Sequence, residues 1–304
     1  MRPLLFTSIT ALLLLGSASR PVPKIDPLAA MYETARLEQD VVYRSVNGID
    51  LPLDIFLPEK RLGQSPWWEK DGRGNKPTLL YMHGGGWVQG DKESILFNIL
   101  PFIARDWVVI SINYRLAKDA KAPAAVEDCL AALDWVYDHA EEYMIDTDRI
   151  VVAGDSAGGH LALLTGMLRK GDSLCENKLV VGEKQSVAAI INWIGVTDLS
   201  THDIPQQWID PADNRTELIR SLSPIHYVRT GGTPVISVHG SDDPVVLPNQ
   251  AKSLHKKLQT AGVKEKLVMI SGAKHGNFSP QESTFMYSEI WNFLESIGIQ
   301  TTVD

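Results

Sequence analysis

A chain of 304 residues with 44% hydrophobic and 22% charged side chains has the composition of a globular protein. It shows none of the biases of collagen, coiled coils or disordered tails. Its formal net charge of −8 provides no basic field for nucleic acid or an anionic membrane surface, and two cysteines without nearby ligand clusters make no metal site.

Residues 1–19 read as a cleaved signal peptide. Arg2 gives a positive start, residues 4–15 are apolar apart from Thr7, Ser8 and Thr10, and Gly16-Ser17-Ala18-Ser19 offers small residues for cleavage. The apolar run falls short of the roughly 20 residues that span a bilayer, and no cysteine follows it to carry a lipid. A secreted or periplasmic protein without stable membrane insertion is expected. Export permits a disulfide between Cys129 and Cys175, which a chain of this size does not need. The sequons at Asn214 and Asn277 matter only in a source that glycosylates.

Residues 24–300 read as one domain. Its first stretch, 24–40, looks like a short helix or arm. Runs 41–45 and 51–57 then flank Asn47-Gly48, a strong hairpin signal because both turn positions need positive φ. Leu51, Leu53, Ile55 and Leu57 alternate as a strand with one buried face would. A polar loop over 59–76 follows. From residue 78 the pattern alternates between strand and helix. Unbroken apolar runs at 78–82, 107–112, 150–153, 187–194, 235–238 and 267–270 suit strands covered on both faces. Between them, Val126, Cys129, Leu130, Leu133, Val136, Tyr137 and Ala140 recur at helical spacing, which predicts a buried Cys129. Ala251, Leu254, Leu258 and Ala261 make a second helix stopped by Gly262. Tyr287, Ile290, Trp291, Phe293 and Leu294 make a third. The segment at about 199–232 has neither period and reads as a small insertion at the sheet's carboxyl edge. The expectation is a mostly parallel sheet with an antiparallel N-terminal hairpin and helices on both faces.

Gly154-Asp155-Ser156-Ala157-Gly158-Gly159 follows one strand run and precedes Leu161, Leu164 and Leu168 at helical spacing. A serine on such an elbow has its hydroxyl lifted off the backbone, and the glycines remove side chains that would clash. His83-Gly84-Gly85-Gly86-Trp87 follows another strand run. Successive glycines let backbone N–H groups approach a developing oxyanion. Folds with this elbow order their triad serine, acid, histidine. If the acid follows the run at 235–238, only His255 and His275 come after it. His255 sits beside Lys256 and Lys257 in a helix and reads as solvated; His275 lies in the loop after the last strand, where a base can reach the sheet edge. His275 is the predicted base. Asp242 and Asp243 compete for the acid, with Asp198 a weaker third choice. The bland reading of Asp242-Asp243-Pro244 is a helix-capping turn, with Asp242 as the cap.

These motifs, with Asn113-Tyr114-Arg115 between them, resemble the esterase and lipase group related to hormone-sensitive lipase. They equally resemble the small bacterial acetyl and feruloyl esterases of biomass degradation. The resemblance covers roughly residues 40–298. It implies an α/β-hydrolase fold and a serine carboxylesterase working through an acyl-enzyme, with no metal and no cofactor. The family pattern places the acid four residues after His239 and before Pro244, which selects Asp243. It implies an oxyanion hole from Gly85, Gly86 and the N–H of Ala157, with His83 as support for that loop. Ester substrates of short-chain or carbohydrate-linked type are expected. Trp87, Trp193 and Trp208 are candidates for a pocket wall, against the commoner reading of tryptophan as core. The rival readings are an amidase or peptidase on the same triad and a non-catalytic binding protein. Nothing in the pattern fixes an oligomeric state.

Overall fold

The computed structural model describes residues 35–58, 75–94, 96–172, 174–175, 186–209 and 215–299. The expected signal peptide and the Asn214 sequon lie outside the described residues.

Eight strands form one sheet: β1 (Ala35–Val46), β2 (Ile49–Pro58), β3 (Lys76–Met82), β4 (Val108–Ile112), β5 (Ile145–Asp155), β6 (Ala189–Trp193), β7 (Val235–Gly240) and β8 (Glu265–Ile270). Their spatial order is β1-β2-β4-β3-β5-β6-β7-β8. β2 runs antiparallel to β1 and β4, and the remaining pairs are parallel. Helices among the described residues include α1 (Leu96–Ile103), α2 (Ala124–Asp138), α3 (Ala157–Met167), α4 (Arg215–Ser221), α5 (Asn249–Thr260) and α6 (Pro280–Ser296).

Asn47 and Gly48 turn the hairpin with φ of 51° and 79°, and Val46 faces Ile49 across it. Residues 35–40 correct the expectation of a helix or arm: they extend β1 along Pro58 to Ile55. A register shift after Glu38 puts Asp40 at φ 58°, with its N–H donated to Asp54 Oδ1 at 3.0 Å. This bulge, dressed with Arg36, Glu38 and Asp40, erased the alternation that marks a strand.

Alternate residues of the central strands feed two apolar layers. Leu80, Met82, Ile150 and Val152 pack with α2 and α3 on one face. Leu79, Tyr81, Val151 and Ala153 pack with Phe102 of α1 and Trp291 of α6 on the other. Burial on both faces is why these strands are uniformly apolar. Cys129 is buried in the first layer, and both cysteines are free thiols. The chain leaves β3 toward β4 on one side and returns as β5 on the other. The carboxyl ends of β3 and β5 therefore flank a crevice, the usual ligand position in such sheets.

Candidate active site

Ser156 sits between β5 and α3 with φ 53° and ψ −117°. A non-glycine residue at positive φ costs on the order of 1–3 kcal/mol, so the turn needs outside support. Ser156 N–H donates to Trp193 O at 2.9 Å, and His160 N–H donates to Ser156 O at 3.1 Å. A Cβ on Gly158 would stand 2.0 Å from Met82 O, so only glycine lets the elbow pack on the end of β3.

Three side chains from separate strand ends meet here. His275 Nε2 lies 2.9 Å from Ser156 Oγ, and its Nδ1 lies 2.7 Å from Asp243 Oδ2. A carboxylate only accepts, so Nδ1 carries the proton and leaves Nε2 free to accept from the serine hydroxyl. Asp243 is 2% exposed. Its Oδ1 accepts the N–H groups of Val245 and Val246 at 2.9 and 3.0 Å.

The competing acids lie elsewhere. Asp242 is exposed and accepts from Ser241 Oγ. It caps no helix, which corrects that expectation; Asp243 organises the turn through its own backbone neighbours. Asp198 is held by the N–H and hydroxyl of Ser200. His255 is a second correction. It is 2% exposed, with Nδ1 against the Glu265 carboxylate, because α5 turns positions 251, 254, 255 and 258 inward together.

Gly85 and Gly86 have φ of 120° and 61°. Among the described residues no acceptor meets the N–H groups of Gly85, Gly86 or Ala157. His83 is buried beneath this loop, its ring stacked on Tyr114 at 4.3 Å and its Nδ1–H donated to Gly84 O at 2.7 Å. Burial pushes its pKa down.

The three tryptophans do not form one pocket wall. All are buried, and they divide between the two layers. Trp193 packs 5.8 Å from Tyr81 and donates to Met286 Sδ. Trp87 stacks on Trp208 with ring centres 4.0 Å apart. The Trp87 indole N–H points to His160 Nδ1 at 3.3 Å, and His160 Nε2–H donates to Leu222 O at 2.7 Å. The glycine loop, the helix after Ser156 and the segment between β6 and β7 are thus tied together.

Three residues near the site escaped sequence reasoning. Asp155 accepts from the Tyr81 hydroxyl and Gly84 N–H. His239 lies 3.5 Å from Asp243 Oδ2. Half-buried His202 places its ring 6.4 Å from Trp87. No periodicity marks them; each depends on strand register or on a loop's path.

Burial pushes the His160 pKa from 6.5 down to about 4. Between those values the unfolded chain holds a proton that the folded one lacks. Stability therefore falls as pH is lowered from 6.5 to 4 and loses nothing more to this group below that. His160→Gln keeps a donor and an acceptor but does not titrate. Its urea midpoint should change less across this window than the wild type's. Identical pH slopes would contradict a neutral, buried His160.

The model of the BD-FAE family matches residues 53–258. Esterase LipC of Mycobacterium tuberculosis (strain ATCC 25618 / H37Rv) is 30% identical over 213 residues, 66% of this chain and 53% of LipC. The chain thus spans about half of that relative. A putative alpha/beta hydrolase, R526, of Acanthamoeba polyphaga mimivirus is 25% identical over 84% of this chain and 76% of its own. The esterase Est2 of the planctomycete Thermogutta terrifontis superposes with a TM-score of 0.70 at 26% identity, covering 88% of this chain and 94% of Est2. With the family match running over more than half of its length, the chain is an α/β-hydrolase and belongs to the BD-FAE family.

Proposed function

We propose that this protein is a secreted serine carboxylesterase acting on short-chain or carbohydrate-linked esters. The observation that carries the reading is the continuous hydrogen-bonded line from Ser156 through His275 to Asp243 at a strained elbow. Named esterases among the relatives support the bond type, and Thermogutta terrifontis esterase 2 has been captured phosphorylated by paraoxon. Residues 1–19 act as the cleaved signal, and 24–300 fold as one hydrolase domain. The described part of the segment between β6 and β7 holds seven-residue α4 and two short 3-10 turns, little material for a broad apolar lid. That favours short acyl chains.

In this mechanism Ser156 Oγ attacks the ester carbonyl as His275 Nε2 takes its proton. The carbonyl oxygen becomes an oxyanion facing the N–H groups of Gly85, Gly86 and Ala157. Collapse breaks the bond to the alcohol, which leaves with the proton from His275, and the acyl group stays on Ser156. Water then attacks with His275 again as base, and the acid departs as Ser156 regains its proton. Asp243 keeps the imidazole in the right tautomer and stabilises its cation.

Paired assays on p-nitrophenyl acetate and p-nitroacetanilide test the bond type, and an acyl-chain series with methyl ferulate tests the acyl preference. A much faster ester supports the reading; equal rates would favour the amidase alternative. A covalent serine probe found by mass spectrometry anywhere but Ser156 would remove the nucleophile assignment.

The tie between Trp87 and His160 gives a separate expectation. Trp87→Phe keeps an aromatic ring against Trp208 but loses the indole N–H, loosening the loop that carries Gly85 and Gly86. Misplacing such donors by about 1 Å costs up to ~10²-fold. The loss should fall on kcat, with KM nearly unchanged, because the donors act on the oxyanion rather than the bound ester. A rise in KM alone would show that Trp87 serves binding instead.

A further inference from the structure

His239 stands near the end of β7, four residues before Asp243, and takes no part in the proton transfers above. Its backbone is paired with Met269 of β8, and its side chain is buried. Nε2 of the ring lies 2.8 Å from Val246 O. A carbonyl oxygen only accepts, so Nε2 carries a proton, and in a neutral ring Nδ1 is bare. Nδ1 is shut off from solvent and has no hydrogen-bond partner among the described residues. A buried nitrogen left unpaired disfavours the fold. Packing alone would be better served by an apolar side chain of similar size, so what the imidazole contributes is the bond from Nε2.

That bond fastens one side of the turn that carries Asp243. The other side is tied to the chain leading to His275: Ser241 N–H donates to Ile270 O at 2.9 Å and Asp242 N–H to Ala273 O at 3.0 Å. Beyond Asp243, Val245 and Leu247 are 54% and 56% exposed, and Val246 is buried between them. Val246 is bound twice through its backbone. Its N–H donates to Asp243 Oδ1 at 3.0 Å, and its carbonyl accepts from His239. A path of hydrogen bonds thus runs from a central strand through Val246 to Oδ1, leaving Oδ2 for His275 Nδ1. His239 Nε2 is 3.5 Å from Oδ2, beyond the length of a good second bond. Burial pushes the His239 pKa down; the Val246 carbonyl and the Asp243 carboxylate favour its cation, while His275 and Lys252 of α5 oppose it. A neutral ring can donate to Val246 without setting a positive charge against Asp243 in competition with His275.

Resting on the triad of the esterase reading above, we propose that His239 is a positioning residue for catalysis: through Val246 it holds the Asp243 carboxylate in line with His275.

The test compares His239→Leu, which removes the donor, with His239→Gln, which keeps an amide N–H at a similar reach. His239→Leu should lower kcat for p-nitrophenyl acetate roughly 10- to 100-fold, the cost of misplacing a catalytic group by about 1 Å. KM should barely change, because Asp243 acts on the imidazole cation formed during reaction rather than on the bound ester. His239→Gln should recover most of the loss. In proton NMR the resonance of His275 Nδ1–H should shift in the leucine variant and return in the glutamine variant. A folded His239→Leu with wild-type kcat, or with a raised KM alone, overturns the inference. So does a glutamine variant as slow as the leucine one, which would make ring packing the cause. Should His239→Leu fail to fold, nitrogen NMR of the wild type decides: Nε2 of His239 must be protonated and Nδ1 bare wherever the enzyme is active, and a proton on Nδ1 there overturns the assignment. A wild type that cleaves no ester overturns the esterase reading and this role with it, whereas an active wild type beside an indifferent His239→Leu removes this role alone.

Discussion

Ser156→Ala is expected to lower turnover of p-nitrophenyl acetate by roughly 10⁴–10⁶-fold, the range seen when a triad nucleophile is removed. The substitution deletes one oxygen, 2.9 Å from His275 Nε2, and leaves the donors of Gly85, Gly86 and Ala157 in place. Residual catalysis then rests on oxyanion stabilisation and binding alone. The variant should fold as the wild type does. Alanine and serine both carry a Cβ, so neither relieves the positive φ at the elbow, and the backbone bonds to Trp193 and from His160 do not involve the hydroxyl. The measurement is steady-state hydrolysis with a parallel thermal melt. A variant that melts normally and cleaves the ester at near wild-type rate removes Ser156 from the mechanism.

Much of the fold was legible because its determinants are local. The runs at 78–82 and 150–153 announce β3 and β5 because residues of both parities are buried, Leu79 in one layer and Leu80 in the other. The hairpin was readable from Asn47-Gly48 because few dipeptides accept positive φ twice. The first six residues of β1 were not, since the bulge at Asp40 breaks the alternation. His255 was misread from its lysine neighbours, although its spacing from Ala251, Leu254 and Leu258 places it on the buried stripe. For the candidate site, strand–turn–helix context singled out Ser156; chain order left His255 and His275, and the loop after the last strand singled out His275. The fates of Trp87 and Trp193 were beyond the sequence. Sheet layer depends on strand parity and on the loop's path, and no motif encodes the stacking of Trp87 on Trp208. Asp155 escaped for a similar reason. Its bond to Tyr81 exists because β3 and β5 pair in one register, with Tyr81 opposite Ala153.

The choice between adjacent aspartates leads to the second large effect. Asp243→Asn should lower kcat by about 10⁴-fold, as the isosteric amide does in other triads. The direction follows from the donors around the side chain. The N–H groups of Val245 and Val246 both point at Oδ1 and require an acceptor there. An asparagine satisfies them only with its carbonyl oxygen, which turns its NH₂ toward His275. That NH₂ donates to Nδ1, so the imidazole proton moves to Nε2, and the nitrogen facing Ser156 Oγ can no longer accept. The fold loses little, because volume and both backbone bonds are kept. Asp242→Asn and Asp198→Asn alter a solvent-facing carboxylate and the cap of a short turn, so both variants should cleave p-nitrophenyl acetate close to the wild-type rate. Kinetics of the three variants, with NMR of the imidazole protons in Asp243→Asn, check each step. A proton still on Nδ1 beside normal turnover, or a collapse of activity in the Asp198 variant instead, would move the acid to another position.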